Sequence, residues 1–126
     1  MNIPKNLKYA ESHEWVRVEG DVAVVGITDF AQTSLGDIVF LDIEVEGETL
    51  DKGEVYGSIE AVKTVSDSYM PVSGEVIEVN QEAIDDPSIV NKDPYGEGWL
   101  LKIKMSDPSE VNSLLDAAGY EEIAKD

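Results

Sequence analysis

One lysine stands apart in this chain. Between Gly53 and Asn91 there are eight acidic residues, and Lys63 is the single basic one. It lies between two strand-like stretches, Tyr56-Gly57-Ser58-Ile59-Glu60-Ala61-Val62 and Thr64-Val65-Ser66-Asp67-Ser68-Tyr69-Met70. A β-hairpin has to turn there, so the lysine is expected at an accessible tip with no competing cation nearby. On residue type alone, an exposed amine of this kind is first of all a solvated surface charge relieving acidic repulsion. The turn itself has little local support, because Ala61 to Val65 contains no Gly, Pro, Asn or Asp.

Other chemistry is scarce. With no cysteine there is no thiol nucleophile, disulfide or thiolate metal site, so any redox sulfur has to be added from outside. A single histidine, His13, rules out multi-histidine metal centres and forces any histidine-based triad through that residue. His13-Glu14 could form an acid/base pair, but neighbours on a strand point to opposite faces, and no nucleophile elbow supports them. Asn91-x-Asp93-x-x-Gly96 starts like a calcium loop yet has Lys102 where a bidentate glutamate is needed. Gly96-Glu97-Gly98 lacks the third glycine of a dinucleotide fingerprint, and no phosphate-loop motif occurs. Trp15 and Trp99 are expected in or at the edge of the core.

The elements that position these residues are mostly short strands. The 126 residues carry a net charge of −18, with 42% hydrophobic and 29% charged residues, the composition of one globular domain with an acidic surface. That charge argues against nucleic acid and anionic membranes as partners. The first residues have no apolar signal core, and Val22 to Ile27 is too short to span a bilayer. An intracellular protein is expected.

Trp15–Val18 and Val22–Val25, joined by Glu19-Gly20-Asp21, predict a hairpin with a three-residue connection. Thr28 and Gly36 bracket a short helix. Asp37–Val45 predicts a strand, with Ile38, Phe40 and Asp42 on one face and Val39, Leu41 and Ile43 on the other. Further strands are expected at Glu54–Val62, Thr64–Met70, Gly74–Val79 and Trp99–Met105. Asn80–Asp86 predicts about two helical turns stopped by Pro87, and Asn91–Gly98 a loop. Asp107, Pro108 and Glu110 form a helix start, and Val111, Leu114, Leu115 and Ala118 keep helical spacing up to Gly119.

Six segments, in order, carry a family resemblance: Ser12-His13-Glu14-Trp15, Gly26 to Gln32, Leu35 to Val39, Glu60-Ala61-Val62-Lys63, Pro71 to Val76, and Asn91 to Leu100. The chain resembles the glycine cleavage system H proteins over nearly its whole length. Ala61 and Thr64 depart from the commonest family pattern, where serine and alanine are frequent. Biotin carriers usually have methionine on both sides of their lysine, and lipoyl domains of the 2-oxoacid dehydrogenases usually have aspartate before it, so both fit less well.

The resemblance implies a mostly β fold, the barrel-sandwich hybrid of lipoyl and biotinyl carriers, with short helices and a C-terminal helix. It implies a single lipoyl-carrier domain over residues 1–126, with a core at about 7–105 and a helical tail at 106–126. The matching lysine, Lys63, would carry lipoic acid in amide linkage, and Ser12, Glu14 and Asp67 match residues associated with docking of the arm. The protein would be a non-catalytic, monomeric shuttle between a pyridoxal-phosphate glycine decarboxylase (P protein), a tetrahydrofolate-dependent aminomethyltransferase (T protein) and dihydrolipoyl dehydrogenase (L protein), after loading by a lipoylating enzyme. A bacterial cytoplasm is the expected compartment, with the mitochondrial matrix as the alternative. An unmodified H-like interaction or lipoyl-relay protein is the alternative function, followed by a lipoyl or biotinyl domain of another complex.

Overall fold

In the computed structural model, residues 2–124 are described. The first hairpin pairs β2 (Glu14–Glu19) with β3 (Val22–Ile27), and Glu19 faces Val22 across a two-residue turn. The connection is therefore Gly20-Asp21, one residue shorter than expected. Gly20, at φ 65°, supplies the left-handed conformation that so tight a turn favours.

Six antiparallel strands form the first sheet, in the order β1 (Lys8–Tyr9), β2, β3, β9 (Leu101–Met105), β8 (Gly74–Val79) and β5 (Thr49–Leu50). The second sheet holds β4 (Ile38–Asp42), β6 (Val55–Ala61) and β7 (Val65–Tyr69), also antiparallel. Four short helices join them: α1 (Asp29–Leu35), α2 (Gln81–Asp85), α3 (Ser88–Lys92) and α4 (Ala117–Ile123). This is the mostly β barrel-sandwich hybrid expected, with short helices and a C-terminal helix.

The continuous apolar run of β3 has two destinations. Ala23, Val25 and Ile27 face the core between the sheets, with Val16, Leu41, Ile59, Val76 and Ile103. Val24, one residue out of phase, packs on the outer side with Leu7, Tyr9, Trp15 and Tyr120. Both faces of this strand are thus buried, so alternation disappears. Complete burial of each large side chain contributes about 1.5–3 kcal/mol. Trp15 is buried as expected, and its indole N–H donates to the Pro94 carbonyl at 2.9 Å. A Cβ at Gly26 would lie 2.7 Å from that ring, so glycine there lets the indole lie against the strand.

Three local expectations are corrected. The alternation over Asp37–Val45 fails because a register shift between Ile38 and Phe40 puts both Val39 and Phe40 outside, while Ile38 and Leu41 are buried. Pro87 ends α2 but also leads directly into α3, so Asn91 and Lys92 are helical instead of loop. The single helix from Asp107 is two segments. Asp107 caps a 3₁₀ turn over Pro108–Ser113, its carboxylate accepting from the Ser109 N–H. Leu115 then becomes extended and exchanges two 2.8 Å backbone hydrogen bonds with Tyr9. A new helix, α4, restarts behind Asp116, whose side chain accepts from the Gly119 N–H at 2.8 Å. Gly119 is therefore in the first turn of a helix and does not end one.

Candidate functional site

Lys63 is the middle of three residues, Val62-Lys63-Thr64, at the tip between β6 and β7. The Ala61 N–H donates to the Thr64 carbonyl at 2.8 Å, and the Val62 N–H donates to the Asp37 carbonyl at 3.0 Å, fastening the tip to the start of β4. Neither Val62 nor Lys63 takes a positive φ, which explains why the usual turn residues are missing. Lys63 is exposed and, among the described residues, makes no ion pair. Its stem lies over Gly36: a Cβ there would be 3.4 Å from the lysine Cε, and the backbone has φ 80°. That contact is an ordinary one, so it is the positive φ that favours glycine at this position.

Beneath the tip, Asn91 ties three elements together. Its amide donates to the Gly36 carbonyl and to Gln32 Oε1, each at 2.9 Å, and its Oδ1 accepts from the Ile38 N–H at 2.9 Å. Composition had suggested only a loop residue. Around the lysine the surface is apolar, with Val39, Phe40, Val62 and Val65 all exposed, Val62 by 72%.

Beside the hairpin lies a cleft of about 250 Å³. Ser12, Glu14 and Asp67 all line it, so the structure brings the three candidate docking residues together. Leu35, next to Gly36, and Ser66, three residues beyond Lys63 on β7, lie on its lysine-proximal side. Ile27, Phe30, Ala31 and Ile59 supply apolar walls, and no lysine or arginine is among the lining residues. A larger cavity of about 370 Å³, edged by Lys52 and Leu114, shares only Ser12 with the cleft and contains neither Glu14 nor Asp67.

Glu14 is the unusual group, a carboxyl only 2% exposed. Burial pushes its pKa up to about 7, against the opposing effect of hydrogen bonds from the Ser12 hydroxyl and, at 3.4 Å, from the Tyr69 N–H. Asp67 is exposed at the rim.

His13 does not point away from Glu14 as strand geometry predicts. It precedes β2 in a turn, at φ 76°, with its N–H donating to the Ala10 carbonyl at 3.0 Å. Its left-handed backbone breaks the alternation, and both side chains line the cleft. The imidazole lies 4.9 Å from the Phe30 ring, and burial lowers its pKa. Its Nδ1 is 2.8 Å from the Tyr120 hydroxyl, a partner from α4 that no local sequence signal indicates.

An apolar slot that ends at a buried carboxyl without a counter-ion suits an apolar chain carrying a cation at its end. The model of the family described as glycine cleavage H-protein matches residues 7–126. The chain belongs to the glycine cleavage H-protein family. A glycine cleavage system H protein of Bacteroides fragilis is 59% identical over 123 residues, 98% of each chain. That of Symbiobacterium thermophilum is 51% identical over 125 residues, covering 99% of this chain and 98% of its own. The crystal structure of a glycine cleavage system H protein from Mycobacterium marinum superposes with a TM-score of 0.87 at 41% identity, over 95% of this chain and 97% of that one. H-protein membership agrees with the order of the six sequence segments and supports a lipoyl-carrier role in the glycine cleavage system. No helix among the described residues is long and apolar enough to cross a membrane.

Proposed function

We propose that this chain is a single-domain lipoyl carrier with lipoic acid amide-linked to Lys63. It receives an aminomethyl group at the glycine decarboxylase, delivers it to the aminomethyltransferase and is reoxidised by dihydrolipoyl dehydrogenase, after a lipoylating enzyme has loaded it. In this reading it works as a monomer in a bacterial cytoplasm and contributes no catalytic group. The observation that carries the proposal is the juxtaposition of an exposed, unpaired Lys63 with a cleft holding the cation-free carboxyl of Glu14.

The residues present fit such a group. Acylating an amine that makes no ion pair breaks no native ionic contact, and the absence of Cys leaves the redox sulfur to the arm. Bound lipoic acid supplies a strained disulfide, open to attack and able to carry the one-carbon unit as a thioether. Glu14 receives the cationic amine of the loaded arm, Ser12 orients its carboxyl, and the Asp67 rim draws the cation in. Ile27, Phe30 and Ile59 exclude water from it. A charge-assisted hydrogen bond of this kind contributes on the order of 1.5–3 kcal/mol, enough to keep the arm mostly docked. The exposed apolar surface around Lys63 is the face offered to the enzymes that act on the arm.

Peptide mapping after co-expression with a lipoate ligase tests the assignment. One lipoyl group on Lys63, and none on the folded Lys63→Arg variant, is expected. A lipoyl group on Lys52 or Lys92 with Lys63 bare would overturn it.

A further inference from the structure

The hydroxyls behind the cleft can be assigned hydrogen by hydrogen. Thr28, fully buried as the N-cap of α1, accepts from the Ala31 N–H at 3.2 Å and is 2.6 Å from the Tyr120 hydroxyl. An amide N–H can only donate, so Tyr120 is the one of these two partners able to take the Thr28 hydrogen, and the cost of leaving a buried hydroxyl hydrogen unpaired favours that direction. Tyr120 Oη has two side-chain partners, Thr28 and His13, and having accepted from the first it donates to the second. His13 Nδ1 is then an acceptor, and the ring proton lies on Nε2. That nitrogen makes no hydrogen bond to another described residue, on a side chain that lines the cleft.

We propose that Tyr120 is a positioning residue: the relay Thr28 to Tyr120 to His13 holds the imidazole as the neutral Nε2–H tautomer and keeps a second positive charge away from Glu14. The consequence bears on specificity. An imidazolium adjoining Glu14 would serve as an internal counter-ion and compete with any cation entering the cleft; a neutral imidazole leaves the carboxyl to the ligand and adds one N–H donor to the wall. The groups surrounding His13 agree with this. Glu14 and Asp67 face the cleft, Phe30 covers the ring, and Tyr9 stacks on Tyr120 at 4.7 Å, so no cationic side chain approaches from these elements. The backbone of His13 is held too, since its carbonyl accepts from the Thr28 N–H at 3.0 Å and so joins the same pair of residues. The value of a neutral His13 to an incoming cation rests on the proposed docking, whereas the tautomer does not.

His13 is the only histidine in the chain, so its ring nitrogens and carbon-bound protons can be followed by NMR without assignment ambiguity. The measurement uses the full chain with Lys63 unmodified, which separates it from the lipoyl reading. At pH 7.5 the Nε2–H tautomer should dominate; a dominant Nδ1–H tautomer would overturn the proposal whatever any variant does. Tyr120→Phe keeps the ring stacked on Tyr9 and removes the hydroxyl. It should increase the share of the Nδ1–H tautomer toward that of a free histidine side chain and raise the His13 titration midpoint by about half a unit to one unit, the equivalent of one hydrogen bond to the neutral ring. An unchanged tautomer ratio and midpoint in that variant would also overturn the relay.

Discussion

Glu14 makes the stability of this protein depend on pH in a direction opposite to that of an ordinary surface carboxylate. Its folded-state pKa is raised by burial from 4.5 to about 7, so the folded chain binds this proton more tightly than the unfolded chain. The contribution is favourable below the ordinary value and is lost as pH rises through about 7. Linkage between these two values puts the cost of the ionised group at about 3 kcal/mol at pH 8 and about 1 kcal/mol at pH 5. Glu14→Gln keeps the shape and cannot ionise. Relative to wild type, the variant should therefore gain about 2 kcal/mol or more between pH 5 and pH 8. Urea unfolding of both proteins at the two pH values reads this directly, with linear extrapolation and a common slope. Comparing the pair cancels the general acidic repulsion of a chain with net charge −18 and any constant offset from the altered bond to Ser12. A stability difference that does not move with pH, or that moves in favour of the wild type at pH 8, would refute a desolvated carboxyl at this position.

Two further outcomes follow from the same geometry. With the isolated aminomethyl-loaded protein, Glu14→Ala should speed spontaneous ammonia release by roughly 10-fold or more, the equivalent of a lost charge-assisted hydrogen bond, while lipoylation and reoxidation stay intact; equal release rates would remove the docking role. Raising ionic strength should raise the apparent KM of the partner enzymes for this protein with little effect on kcat, because an acidic surface acts mainly on encounter; a flat response would remove electrostatic steering and leave the carrier role untouched.

The hairpin that carries Lys63 was legible because its strands and its isolated charge are local properties. So were the Thr28 cap and Gly36, which answer to rules spanning one helix. What escaped depends on distant partners or a single dihedral. Leu114 and Leu115 keep perfect helical spacing, yet two backbone bonds to Tyr9 draw Leu115 into an extended bridge. Val39 and Phe40 alternate as a strand should, but a register shift turns both outward. Strands of two residues, β1 and β5, are too short to show a period. Strand alternation separates His13 from Glu14, but one left-handed residue redirects the chain there, and both line a cleft. Tyr120 gives no sign of its role, because its partners are 107 and 92 positions away.

That last separation orders events during synthesis. The β6–β7 hairpin closes on contacts between consecutive strands, and its lysine is made 57 residues before Tyr120. The hydroxyl relay behind the cleft is complete only once Tyr120 has been made. On a ribosome Lys63 therefore emerges well before the relay behind the cleft is complete, since non-local pairings wait for their later partner. A chain interrupted after residue 105 would keep the lysine, its hairpin and every strand of both sheets. It would lack the Tyr120 end of the relay while keeping every residue that lines the cleft.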